Sequence, residues 1–459
     1  MKKAYDVIII GGGIIGCATA FELAKRGITD ILLIEKRFLT SGATGRCGAG
    51  IRQQWGSELN ARIALESTHI FEHLEEYTGY TRSCGLHQGG YLLVAYTEKE
   101  WAQFQENLKV QHKLGIDSRA VDLKEAKEIV PYLNTDGMFG ATFCQKDGHA
   151  DPFQCTQAYA QGAKRMGVEF LTYTEVTGLQ TKAGRIHAVE TTNGTFEART
   201  VINCANVHAP ELAKMVGEDI PVTSERHQAL VTEPVAPLID CMVMSFHRSY
   251  YVQQTPHGSF VMGIGPHEAP SYNFNSSWQF LEKNCAVMCE ALPILRKLKV
   301  VRQWAGQYDL SPDCNPVIDE AAEAKGFYSV CGFSGHGFMV SPRIAILMAN
   351  HLAGQEDSMD IKLFSKERYK TGKLLLEPAE TGQVLGHIFA GVVFNGIVPH
   401  AGRQTQKSAV NEPIFVYCRC FYASFVPLFF RSRITRTTIS AANPTPVPTQ
   451  PLAVIPAAR

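Results

Sequence analysis

The sequence predicts an α/β protein in which one parallel-sheet domain, assembled from separate stretches of chain, is interrupted by an α+β domain on a mixed or antiparallel sheet. Three observations predict it. Residues 5–35 read as strand, glycine turn, helix and strand; a second strand, glycine turn and helix recurs at 326–352; and residues 221–305 between them carry short strands mixing aromatic and polar side chains. At 459 residues the chain is also long for a single core, so two domains are expected.

The first stretch fixes the chemistry of the fold. Asp6-Val7-Ile8-Ile9-Ile10 is an apolar run of strand length that passes into Gly11-Gly12-Gly13-Ile14-Ile15-Gly16. A helix follows, with Ala18, Phe21, Leu23 and Ala24 able to face a sheet, and Gly27 stops it. Residues 31–34 form a second buried strand that ends on Glu35 and Lys36. Gly11 permits the tight turn, Gly13 lets backbone approach a pyrophosphate, and Gly16 lets the helix pack closely on the strand. The helix N-terminus presents N–H groups and a positive dipole end to an anion. Glu35 lies where an acid accepts hydrogen bonds from ribose hydroxyls, which argues against a 2′-phosphate there. With all parts in register, this is a Rossmann-like dinucleotide site rather than a structural glycine turn.

Charge and cysteine usage narrow the partners. Lys plus Arg and Asp plus Glu both number 44, so no bulk field recruits nucleic acid or anionic lipid. Thirteen cysteines are scattered singly in apolar surroundings, as in buried thiols of a reducing compartment and unlike a disulfide framework. Charged Glu22, Lys25 and Arg26 interrupt the N-terminal apolar pattern, which argues against a signal peptide, and no apolar run is long enough to span a bilayer. A cytoplasmic protein without an integral membrane segment or metal site is expected.

In chain order, residues 40–52 are rich in glycine and small hydroxyl side chains and hold Arg46 and Arg52. Placed just after the dinucleotide acid, small residues let backbone approach a flat ring, and arginine can meet phosphate or carboxylate. Helical periodicity spans 57–79, a strand 89–95, a helix 98–114, a short helix 123–130 and a strand 137–143. A helix at 152–166 leads to a strand from 167, then a meander at 176–179, 186–191 and 195–198. The apolar run at 200–203 enters Cys204-Ala205-Asn206, where a second backbone segment would touch the cofactor.

Strands follow at 227–231, 250–253 and 259–264, and a helix at 277–289. Tyr250, Tyr251, Gln253 and Gln254 suit a sheet covering a ligand on one face, with Tyr251 the candidate for a catalytic contact; an ordinary half-buried strand face is the alternative for each. Residues 326–331 then run into Gly332-Phe333-Ser334-Gly335-His336-Gly337-Phe338-Met339 and a helix at 342–352.

GGGIIGCATAFELAKRG, SGATGRCGAGIRQQWG, VINCANVHA, WAGQYDLSPDCNPVI and GFSGHGFMVSP together resemble the D-amino-acid-oxidase-like flavoproteins over residues 4–375. Within them the chain is most similar to the beta subunits of heteromeric sarcosine oxidase, L-proline dehydrogenase, D-hydroxyproline dehydrogenase and opine oxidase. The resemblance implies FAD, a small amino-acid substrate and partner subunits carrying further redox centres. It implies oxidation at the C–N bond by hydride transfer from the α-carbon to flavin N5, giving an imine. Position by position it implies that Gly11, Gly13, Gly16 and Glu35, with Ile14, Ile15 and Lys36, hold adenosine and pyrophosphate. Ser41, Thr44, Arg46, Cys47 and Gly48 run along pyrophosphate and isoalloxazine. Val176 holds the adenine, Cys204 and Ala205 lie against the cofactor, and Gly335, His336, Gly337, Phe338 and Met339 lie beside the pyrimidine ring. Arg52 falls where sarcosine oxidases place an arginine on the substrate carboxylate, and His336 either polarises the flavin or packs beside it.

Two departures separate the chain from the monomeric sarcosine oxidases. Met339 stands where they have a second carboxylate-binding lysine, and no cysteine occurs around Gly306-Gln307-Tyr308, where they attach flavin covalently. The expected domains are therefore an FAD domain at 1–85, 145–215 and 306–375 and a substrate domain at 86–144 and 216–305. Residues 376–459 form an atypical tail, rich in Arg, Thr and Pro and expected to be disordered. Cys418-Arg419-Cys420 lacks the further cysteines that an iron–sulfur cluster needs. Competing readings are a flavin-binding subunit for electron relay or assembly without its own catalysis, and an NAD-dependent dehydrogenase.

Overall fold

The computed structural model describes residues 2–265 and 268–378. The expectations for most of the tail, including Cys418 and Cys420, lie outside the described residues.

The continuous apolar run predicted at 6–10 is Ala4–Ile10, and its alternation explains why it is apolar throughout. Val7 and Ile9 belong to one buried cluster, Ile8 and Ile10 to another, so the strand is covered on both faces. It pairs in parallel with Ile31–Ile34 on one side and Gly194–Asn203 on the other. Glu169–Leu171 and Phe327–Cys331 extend the parallel sheet outward, and Val317–Glu320 closes one edge antiparallel. The meander Val176–Lys182 and Arg185–Thr191 branches from Gly194–Asn203, giving eight strands in all. Helices Ile14–Lys25, Pro152–Arg165 and Gly337–Leu352 pack over one face through Ala18, Phe21, Ala163 and Ile344.

The second sheet also has eight strands, in the order Val300–Leu310, Thr223–Thr232, Phe260–Ile264, Tyr250–Gln254, Met242–Ser245, Tyr91–Ala95, Gly140–Cys144 and Ser118–Val121. Only Met242–Ser245 against Tyr91–Ala95 is parallel, which makes the sheet mixed as expected. Helix Trp278–Ala291 covers one face with Phe280 and Met288 on Leu230, Val252 and Met262. A two-stranded ladder, Gly50–Ile51 with Gly148–His149, ties the glycine-rich loop to the turn before Pro152.

Several boundaries differ from expectation for identifiable reasons. The helical stretch 57–79 is two helices, Glu58–Phe71 and Leu74–Thr78, the first capped by Ser57 Oγ accepting from Asn60 N at 3.2 Å. The strand expected at 137–143 is Gly140–Cys144, because Gly137 turns with φ +74°. The last helix begins at Gly337, not at Pro342. Proline cannot donate to the Phe338 carbonyl one turn back, and Ser341 Oγ donates to that oxygen at 2.8 Å instead. The strand Val300–Leu310 pairs with Thr223–Thr232 along its length, so the expected boundary between 305 and 306 falls inside one strand.

Candidate active site

Strand Ala4–Ile10 delivers the chain to a turn that only glycine can make. Gly11 has φ +116°, and a Cβ there would lie 2.5 Å from the Cys204 carbonyl oxygen. A Cβ on Gly16 would fall 2.0 Å from Gly11 O, so Gly16 acts by close helix-to-strand packing and does not border the cavity. Gly13 is the N-cap of helix Ile14–Lys25 and has no side chain to satisfy the first N–H groups. Ile14 N donates to Thr44 Oγ1 at 3.2 Å, which brings the second loop across the helix end. Glu35 is fixed beside this turn: its carboxylate accepts from Gly12 N and Arg37 N, each at 2.8 Å, and from Ser41 Oγ at 3.3 Å.

These groups open onto a cavity of about 530 Å³ running from Glu35, Lys36 and Val176 past Cys204 and Ala205 to Arg52 and Tyr251. Every predicted site residue except Gly16 lines it: Gly11, Gly13, Ile14, Ile15, Ser41, Thr44, Arg46, Cys47, Gly48, Gly335, His336, Gly337, Phe338 and Met339 complete the set. Backbone strain gathers along its wall. Ala49, Asn206 and Ser334 all have positive φ without being glycine, and the first two line the cavity.

The loop from Ser41 to Arg52 crosses the cavity through a single turn of 3₁₀ helix, Thr44–Arg46. Arg46 Nη1 donates to Ser41 O at 2.9 Å, its guanidinium lies 4.9 Å from the Phe274 ring, and its carbonyl accepts from Trp304 Nε1. Cys47 Sγ donates to Thr44 O, and burial pushes the thiol up to about 11, so it is neutral. A Cβ on Gly48 would sit 3.3 Å from the Tyr251 ring, and Gln253 Nε2 donates to Gly48 O at 2.8 Å. The far wall is the face of the second sheet that carries Tyr91, Met242, Met244 and Tyr251, all of which line the cavity; Trp101 and Phe104 of helix Glu98–Lys113 pack on the rest of this face. Burial raises the Tyr91 and Tyr251 phenols, which stay protonated.

Arg52 is 1% exposed yet lines the cavity. Its guanidinium stacks 4.1 Å from the Trp55 ring and 5.2 Å from Phe246, and Nη1 donates to Gln54 O at 2.6 Å. His336, the N-cap of Gly337–Leu352, meets Trp55 edge-on at 4.7 Å. Because that helix starts at Gly337, its first-turn N–H groups border the cavity.

Sequence reasoning did not single out Tyr91, Asp147, His227, Met244 or Tyr308 for the site. His227 stacks on Tyr308 at 3.7 Å and accepts or donates at Nε2 with Glu225 at 2.9 Å. Alternation in the WAGQYDL strand could have placed Tyr308 and Gly306 on one face; nothing in the sequence pairs that face with the turn at Gly335.

A long dinucleotide with a flat ring fits this set of residues. The glycine turns leave no room for a Cβ at Gly11 and Gly335, whose added atom would lie 2.3 Å from Tyr308, and acid and helix end stand together at one end. Residues 6–351 match the family described as FAD dependent oxidoreductase. The chain belongs to this family. FAD is its cofactor. The chain is 31% identical to a sarcosine oxidase subunit beta from Rhodobacter capsulatus, over 83% of this chain and 92% of that protein. Another sarcosine oxidase subunit beta, from an Arthrobacter species, is 32% identical over 82% and 94%. The L-proline dehydrogenase structure from P. horikoshii superposes with a TM-score of 0.78 at 35% identity, covering 82% of this chain and all of that one.

Proposed function

We propose that this FAD-dependent enzyme oxidises the C–N bond of a small amino or imino acid, with proline and sarcosine favoured over hydroxyproline, glycine and opines, and that Arg52 holds the substrate carboxylate. The reaction class, oxidation of an amino-acid CH–NH donor, accords with relatives named for sarcosine and L-proline. Arg52 carries the reading: a buried guanidinium on the cavity wall, flanked by Trp55 and Phe246 and facing apolar Met242, Met244 and Tyr251. Such a wall suits one carboxylate and an apolar ring or methyl group, and disfavours the second carboxylate of an opine.

FAD supplies the two-electron acceptor. The protein's part is orientation and exclusion of water. Arg52 anchors the carboxylate by two parallel hydrogen bonds, Tyr91, Met244 and Tyr251 close over the α-carbon, and desolvation favours the unprotonated amine, whose lone pair forms the C=N bond as the α-hydrogen leaves with its electron pair. His336 packs at the helix N-terminus beside the ring site and orients it. Water then hydrolyses the imine.

The segments 1–85, 145–215 and 311–375 serve the cofactor and 86–144 with 216–310 the substrate, the boundary expected at 306 moving to 311 because Val300–Leu310 pairs along its length with Thr223–Thr232. Glu35, Lys36 and Val176 bind adenosine, and Ser41, Thr44 and Arg46 the pyrophosphate. The chain acts as the catalytic subunit of a hetero-oligomer, a reading supported by two relatives named as beta subunits. Cys17, Cys155, Cys204 and Cys331 are buried free thiols, which supports a reducing, cytoplasmic setting. Among the described residues no helix is long and apolar enough to cross a membrane. The alternative of a relay subunit without catalysis has no use for a buried arginine facing an apolar wall.

The deciding experiment mixes holoprotein anaerobically with L-proline, D-proline, hydroxyproline, sarcosine, glycine and an opine and follows flavin bleaching, in the native protein and in Arg52→Ala. Loss of a bidentate charged contact predicts a KM increase of roughly 30- to 1000-fold, about 2–4 kcal/mol. Unchanged amino-acid-driven reduction in the variant rules out the carboxylate assignment.

A further inference from the structure

Behind the cavity wall, Asp147 is fully buried and does not line the cavity. Its carboxylate accepts from Gln53 N at 2.7 Å, from Gln53 Nε2 at 3.3 Å and from Gln54 Nε2 at 3.0 Å. The same Gln54 Nε2 donates to Tyr91 O at 3.0 Å, joining this network to the strand that carries Tyr91 into the cavity. Gln54 O, oriented by these contacts, accepts from Arg52 Nη1 at 2.6 Å. On the other side Trp55 Nε1 donates to Arg52 O at 2.9 Å while its ring stacks on the guanidinium. One carboxylate thus holds Gln53 at main chain and side chain and Gln54 at its side chain, and the arginine is bonded to the Gln54 carbonyl.

We propose that Asp147 is a positioning residue for substrate binding: from behind the cavity wall it fixes Gln53 and Gln54, and through them the aim of the Arg52 guanidinium. This rests on the reading of Arg52 as the carboxylate anchor. A buried carboxylate is costly unless its hydrogen bonds are filled, and here three donors converge on one that contacts neither cofactor site nor solvent. Burial pushes it up to about 6, against the pull of the Gln54 and Gln53 donors and of Arg52, so it is ionised at neutral pH. Its negative charge interacts with the Arg52 guanidinium, whose Nη1 is tied to the Gln54 carbonyl that the same carboxylate helps to hold. A strut that only joins the loop to the sheet would change stability without changing what the cavity binds.

Two measurements separate these roles. One is the dissociation constant of cyclopentanecarboxylate, a carbon isostere of proline that cannot be oxidised, read from the flavin spectrum of the holoprotein. The other is the split between Kd and limiting rate of flavin reduction with the best amino acid from the panel. In Asp147→Asn we expect both dissociation constants to rise about tenfold with the limiting rate nearly unchanged, and the rise to vanish in an Arg52→Ala background, as coupled neighbours require. An unchanged cyclopentanecarboxylate Kd, or an equal loss in the Arg52→Ala background, overturns the proposal. Gln54→Leu, which removes the donor shared by Asp147 and Tyr91 O, is the second variant: it also weakens binding severalfold, and an unchanged Kd there overturns the proposal should Asp147→Asn not yield holoprotein. If Arg52→Ala alone leaves cyclopentanecarboxylate binding intact, the carboxylate assignment fails instead.

Discussion

At Gly11 two constraints coincide, a φ of +116° and the Cys204 carbonyl 2.5 Å from any Cβ. Either alone disfavours a side chain; together they require the turn to move, and with it the end of helix Ile14–Lys25 that borders the cavity. Gly11→Ala is expected to purify without bound flavin, seen as loss of the visible flavin absorbance per mole of protein. Asp309 shows a different residue-scale effect. It accepts from Gly332 N at 2.7 Å beneath the second glycine turn, and burial raises it to about 6 despite those hydrogen bonds. Between its unfolded value near 4 and about 6, the folded chain holds a proton that the unfolded chain releases, so its contribution to stability falls as pH rises through that window. Asp309→Asn lacks this titration. Its stability relative to the native protein should rise by up to about 3 kcal/mol from pH 4 to pH 7, read from denaturation midpoints. The glycine was legible because its role is local, whereas the aspartate's burial depends on two strands far apart in sequence.

Elements were legible where local pattern and tertiary environment agree. Helix Pro152–Arg165 carries its whole signature: Asp151 accepts from Phe153 N at 2.8 Å and Gln154 N at 3.1 Å, Pro152 takes the first position, and Lys164 and Arg165 close the last turn. Asp151→Ala should cost about 1 kcal/mol, measured as a lowered thermal midpoint with unchanged flavin content. Strand Ile31–Ile34, buried at every position, announced itself by composition alone. Ser118–Val121 did not, since its middle residues are exposed at a sheet edge and its sequence lacks an apolar alternation. The start of Gly337–Leu352 was hidden because Pro342 reads as a first-turn residue. Only the Ser341 hydroxyl, which occupies the Phe338 carbonyl, shows how the helix accommodates it.

On the scale of the molecule, the returns of chain at residues 200 and 330 made the interrupted cofactor fold readable before any contact was known, because each return repeats a strand running into small residues. The surroundings of Arg52 were not readable. Tyr91, Asp147, Met244 and Phe246 reach it from three distant segments, and sequence spacing carries no information about which face of the second sheet meets the loop. That arrangement has a consequence for cofactor removal. The cavity is lined from the first sheet by Gly11, Cys204 and Gly335 and from the second by Tyr91, Ala229 and Tyr251, so a ligand filling it touches both. A ligand bound only by the folded state stabilises it by about 2.7 kcal/mol at one hundred times its Kd. Stripping FAD should therefore lower the thermal midpoint, and adding FAD back should restore it with the logarithmic concentration dependence of that linkage. ADP, which in the proposed orientation fills only the Glu35 end, should recover a smaller part at the same free concentration, because its weaker affinity gives a smaller ratio of concentration to Kd. Full recovery with ADP at matched concentration would show that a ligand at the Arg52 end of the cavity contributes nothing to holding the two sheets together.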